Sequence, residues 1–119
     1  MEQDKAADDG DRIAYTAEQV DRGERTLARL GRFIDRNSHR MGAWPYICGR
    51  VQDLYELGRP IRMQGVIEDA REMDFADVDG NRVSIDNTYA AAMARLLLKR
   101  HPEYGDLMET RASVFDLLI

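Results

Sequence analysis

Val20, Leu27, Ile34 and Met41 recur every seven residues, with Leu30 and Phe33 on the same side. No other spacing does more to limit what this chain can fold into. A seven-residue apolar recurrence is two turns of α-helix, so these side chains form one buried stripe. Arg22, Arg25, Arg29, Arg32 and Arg36 follow a 3-4-3-4 spacing on the opposite side. Thr16 with Gln19 has the form of a capping box, in which side chain and backbone of the two residues exchange hydrogen bonds. The pattern therefore predicts a helix starting near Ala17, roughly 20 residues and about 30 Å long. Gly23 and Gly31 each cost such a helix about 1 kcal/mol relative to alanine.

Beyond a break at His39–Ala43, Pro45 suits a first helical turn, and Ile47, Val51, Leu54 and Tyr55 share one face. Gly58 and Pro60 stop that helix, and Met63, Val66, Ile67 and Ala70 mark a short one from about Arg62 to Glu72. Helix, tight turn and short helix outline a helix-turn-helix. The period then shortens: Phe75 and Val78, then Val83 and Ile85, flank Asp79-Gly80-Asn81, which predicts a β-hairpin over about 74–86. A further helix is expected over Tyr89–Arg100, capped by Asn87 or Thr88, with Tyr89, Ala92, Met93, Leu96 and Leu97 inward. A last helical stretch leads to the apolar end Val114, Phe115, Leu117, Leu118 and Ile119, which is expected to dock on the core. The predicted fold is mainly α with one hairpin: a winged-helix-like helix-turn-helix domain preceded by a long N-terminal helix. Residues 1–11 read as a disordered acidic tail and 12–119 as a single domain.

Charge is unevenly spread. Residues 1–12 carry a net −3, residues 13–50 a net +3 and residues 51–119 a net −5, which sum to the total of −5. Only the middle segment offers polyanions a foothold. The arginine row is either a phosphate-binding face or a solvated face whose guanidinium groups pair with Glu18, Asp21, Glu24 and Asp35 at helical spacing. The outward side of the short helix, with Arg62, Gln64 and Arg71 against Glu68, Asp69 and Glu72, would be repelled by a phosphate backbone.

Several chemistries lack their residues. The chain has no Gly-rich phosphate loop, Cys-x-x-Cys pair, His-Glu-x-x-His or Gly-x-Ser-x-Gly. His39, His101 and Cys48 are too few to suggest a metal site, and no cofactor is expected. Cys48 reads as a buried structural thiol. The aspartates at 74, 77, 79 and 86 fail the register of a calcium loop, because Phe75 and Arg82 stand where a first ligand and an apolar residue belong. No stretch reaches the roughly 20 apolar residues of a membrane span. The expected setting is the cytoplasm, with no membrane or small-molecule partner and no enzymatic activity.

The segment "VIEDAR", with Glu68 and Arg71, is followed by "VSIDNTYAAAMARLL", with Asn87, Tyr89 and Arg95, then "HPEY" and "LMETR". Over about residues 61–111 this order resembles an uncharacterised group of small bacteriophage and prophage proteins. The chain departs from that group at Asp86, where relatives tend to carry Asn, and at Glu72, where they tend to carry an aromatic. The resemblance implies a mobile-element origin and no particular chemistry. Glu68, Arg71, Asn87 and Arg95 are expected either to clamp the short helix and hairpin against the Tyr89 helix or to form a binding surface.

Two functions follow as expectations. One is nucleic-acid association through Arg22, Arg25, Arg29, Arg32 and Arg36, aided by Arg62, Gln64 and Arg71. The other is a protein-interaction module whose acidic half engages a basic surface of a host or phage protein.

Overall fold

In a computed structural model, which describes residues 14–119, the first helix, α1, runs Ala17–Arg36. Both arms of the capping box are present: the Gln19 N–H donates to Thr16 Oγ1 at 3.0 Å, and the Thr16 N–H to Gln19 Oε1 at 2.8 Å. The helix ends because Asn37 turns inward. Its Nδ2 donates to the Phe33 carbonyl at 2.8 Å, and its own carbonyl accepts the Trp44 N–H at 3.0 Å, closing a tight turn. Gly42 completes it, since a Cβ there would lie 2.9 Å from the Asn37 carbonyl carbon. The expected apolar row therefore stops at Ile34, and Met41 projects into solvent, 79% exposed. The expected tail lies outside the described residues.

Helix α2 spans Ala43–Glu56 and α3 spans Met63–Arg71. Between them Gly58 takes a left-handed φ of 67°, and the Arg59 N–H reaches back to the Leu54 carbonyl at 2.9 Å. That is the usual glycine-dependent helix end. α3 packs against α2 and, on its other side, against α4 (Tyr89–Arg100), which also meets α1. Ile47, Val51, Ile61, Ile67, Ala92 and Met93 are fully enclosed at their junction. A 3-10 turn, Pro102–Asp106, and a four-residue helix α5, Phe115–Leu118, finish the chain. Phe115 is buried, and Val114, Leu118 and Ile119 pack on the core, whereas Leu117 stays 64% exposed. Among the described residues no helix is long and apolar enough to cross a membrane.

The expected β-hairpin is absent, and with it the wing of a winged-helix domain. The described residues form an all-helical fold; residues 74–86 are an irregular loop with one isolated bridge, Ala76 to Arg82. Asp77 is the physical reason. Its Oδ1 accepts the backbone N–H groups of Asp79 and Asn81 at 2.9 and 3.0 Å, so the tip folds on a side chain and not on a strand ladder. Phe75, Val83 and Ile85 pack on the helical core while Val78 stays 57% exposed, and an isolated two-stranded ribbon is marginal in water. The loop is tied to α1 instead: the Val78 N–H donates to the Arg36 carbonyl at 3.1 Å.

The glycines of α1 divide in role. Gly31 has open space around it and carries only its helix-propensity cost. Gly23 is buried where the C-terminal segment crosses, and a Cβ there would fall 2.9 Å from both Leu118 Cδ1 and Val114 Cγ1. What reads in the sequence as a helix penalty is a point of close approach.

Candidate functional site

The five arginines of α1 are all exposed, yet their charge is largely met. Arg25 pairs with Asp21 one turn earlier. Arg36 forks to Asp77, at 3.1 Å, and to Asp79, while Arg29 stands 3.7 Å from Asp86. The carboxylates from 74–86 thus neutralise the helix that sequence reasoning opposed to them. Asp77 is held below the usual carboxylate range by the Asn81 N–H first, then by the Asp79 N–H and the Arg36 guanidinium. Asp86 is lowered chiefly by the Thr88 N–H, with Arg29 contributing. Its Oδ1 accepts that N–H at 2.9 Å, so Asp86, and neither Asn87 nor Thr88, supplies the side-chain bond at the head of α4. Only Arg22 and Arg32 make no ion pair with a described residue. A cleft of about 330 Å³ beside Arg29, Arg32 and Arg36 also admits Arg82, but Asp77, Asp79, Asp86 and Asp74 accompany those four arginines.

The four residues expected either to clamp the short helix or to form a binding surface make no hydrogen bond to one another. Arg71 donates from Nε and Nη2 to the Ile85 carbonyl, at 2.9 and 2.6 Å, and so fastens α3 to the end of the loop. Arg95, with its side chain only 10% exposed, holds the C-terminal segment: Nε donates to Asp116 at 2.9 Å, Nη1 to the Ala91 carbonyl at 3.2 Å, and Nη2 to the Arg111 carbonyl. Its hydrogen bond lowers the Asp116 carboxyl. Glu68 and Asn87 are exposed, with no side-chain hydrogen bond to either arginine. Asp69 is paired with Arg50 at 3.3 Å, which neutralises one acidic residue on the outward side of α3.

Arg62 and Gln64, proposed from sequence as auxiliary contacts, lie on a different feature. They wall a groove of about 920 Å³, whose floor is Ala90, Ala91 and Ala94 of α4 and whose far wall is residues 109–113. Arg95 crosses beneath that wall and positions it. Residues 109–112 are exposed and belong to no helix or turn. Neither Arg62 nor Arg111 forms an ion pair with a described residue, and Glu109 is the one carboxylate among the lining side chains. Sequence reasoning missed this groove because its walls come from segments some 45 positions apart. The only advance signal was the small-residue run in "YAAAMA".

No catalytic constellation forms among the described residues. Cys48 is half-buried, and burial pushes its thiol pKa up, against nucleophilic use. Tyr104, stacked on His101 and bonded through its hydroxyl to Gln52, is likewise raised by burial. No three His, Cys, Asp or Glu side chains gather as metal ligands among the described residues. No protein-family profile, curated protein or solved structure matches this chain.

Proposed function

We propose that this chain is a non-enzymatic accessory protein of phage or prophage type that works as a protein-interaction module. Its binding surface is the groove between α3, α4 and residues 109–113. The observation that carries this reading is the pairing of Arg25, Arg29 and Arg36 with Asp21, Asp86, Asp77 and Asp79. A polyanion would have to displace those carboxylates, and counterion release, the usual source of phosphate affinity, is largely forfeited where the protein supplies its own counter-charge. The basic-partner form of the interaction reading weakens for the same reason, since the same pairs occupy the aspartates of the loop. The groove is what bulk charge does not account for.

Selection of a random peptide library against the full chain tests this. Peptides should be enriched, and their binding should be lost when Ala91→Trp fills the floor or Arg62→Ala with Arg111→Ala strips the walls. Arg22→Glu with Arg32→Glu should leave them bound. Failure to enrich any peptide, together with salt-sensitive retention of duplex DNA that the Arg22 and Arg32 reversals abolish, would return the function to nucleic-acid association.

A further inference from the structure

We infer that the groove recognises an acidic peptide segment in extended conformation, laid along residues 109–112. This rests on the groove reading above and names the chemistry of its partner.

Backbone valence comes first. An exposed peptide N–H is satisfied by water, which a partner's carbonyl can replace. Among the described residues the N–H groups of Glu109, Thr110, Arg111 and Ala112 donate to none. The stretch begins directly after Met108, which is bridged in parallel to Ile61, with the Ile61 N–H on the Leu107 carbonyl at 2.9 Å. Strand-like pairing therefore stops where the groove opens; in the next four residues the Arg111 carbonyl accepts from Arg95, and the remaining backbone groups make no hydrogen bond with a described residue. Addition of an extended segment to such an edge is a recurrent mode of peptide recognition: main-chain bonds supply affinity and side-chain contacts supply choice.

The floor permits it. Ala90, Ala91 and Ala94 carry no side chain beyond Cβ, so another main chain can approach α4 closely. The walls select the sign. Arg62 on one side and Arg111 on the other face a single carboxylate, Glu109, and Arg guanidinium groups take carboxylates in bidentate fashion. In an extended peptide, alternate side chains point the same way about 6.6 Å apart, so acidic residues at every second position face the arginines together. A nucleic-acid strand fits less well. No aromatic side chain lines the groove to stack a base.

The test titrates the full chain with a fluorescent peptide of about eight residues alternating Glu and Val. Controls are its Lys-Val counterpart and an oligothymidylate of matched length. The acidic peptide should bind, the basic one should not, and Arg62→Glu with Arg111→Glu should weaken binding by tenfold or more, a loss of about 1.4 kcal/mol at tenfold. Hydrogen exchange should slow at Glu109–Ala112 on binding. Circular dichroism establishes that the variant is folded, and the milder Arg62→Gln should give an intermediate loss. The inference fails if neutral or basic peptides bind through the groove as well as acidic ones do, a result that leaves the interaction module standing. It also fails if the oligonucleotide displaces the peptide at equal concentration, or if the same substitutions break a dimer, which would assign the groove to a second copy. Protection of 109–112 in the free chain that disappears on amidating the carboxylates of residues 1–11 would make the chain's own N-terminus the occupant.

Discussion

The α1 face and the α3–α4 groove both carry exposed arginines, and they differ in what stands opposite. On α1, Asp77, Asp79 and Asp86 arrive from a loop 40 to 60 residues along and meet Arg36 and Arg29. At the groove, Arg62 and Arg111 share the lining with three alanines and one carboxylate, Glu109. A run of like charge in a sequence is therefore a poor guide to a field at a surface. The counter-charges are placed by the fold, and exposed pairs so formed are worth little in stability while still cancelling at a distance.

The largest expected effect separates the arginine that builds the groove from those that line the neutral face. Arg95→Ala removes a nearly buried guanidinium and its hydrogen bonds to the Ala91 and Arg111 carbonyls and to Asp116, which keeps only the Ser113 N–H. It should cost about 2–3 kcal/mol in urea unfolding and release residues 109–119 to rapid hydrogen exchange. A loss no greater than that of an exposed arginine would mean that the far wall is not held by Arg95.

Next comes the seam between the two regions, where α5 crosses α1. Gly23→Val drives a branched side chain into Leu118 and Val114, and should lower stability by about 1–3 kcal/mol. Gly31→Ala, two turns further along with nothing near it, should raise stability by about 1 kcal/mol. Thermal melts of the pair should therefore move in opposite directions. Equal shifts would show that α5 does not rest on Gly23.

The smallest effects belong to the neutral face. Arg36→Ala should destabilise slightly, and the difference should fade as salt is raised to about 0.5 M, where such pairs are screened. Arg32→Ala, with no carboxylate partner among the described residues, should shift nothing beyond error. Acid sharpens the same contrast. Asp77, Asp86 and Asp116 titrate lower in the folded chain than the ordinary carboxylate value of about 3.9. Their contribution is thus complete above that value and is lost as pH falls through their folded pKa values. The midpoint of thermal unfolding should drop below about pH 4, less steeply in Asp77→Asn. A profile unchanged by that substitution would show that the loop's aspartate network does not contribute to folding.

Much of the helical outline was legible because helices declare themselves locally. The Thr16–Gln19 box starts α1 where its hydrogen bonds require, the stripe Met63, Val66, Ile67 and Ala70 is wholly buried, and α4 runs Tyr89–Arg100. The hairpin was misread because Asp79-Gly80 is a turn signal whether or not strands follow, and Gly80 does take a positive φ of 82°. The flanks exchange only two backbone bonds, Asp77 N–H to the Asn81 carbonyl and Val83 N–H to the Phe75 carbonyl, while the Asp77 side chain takes the N–H groups of the tip. The polar clamp was misassembled for a related reason: Glu68 and Arg71 are close in sequence, but Arg71 turned to Ile85 and Arg95 to Asp116.

By itself, then, the order of residues determined where helices begin, which stripe of each is apolar and how the turn at Gly58 is made. All of these follow from interactions within a few positions. Only the tertiary structure decided which carboxylate each paired arginine meets, that Gly23 is a crossing point, and that residues 109–113 line one groove with α3. Those outcomes depend on the approach of segments tens of residues apart, and packing of the shared core around Ile47, Ile67 and Met93 sets that approach.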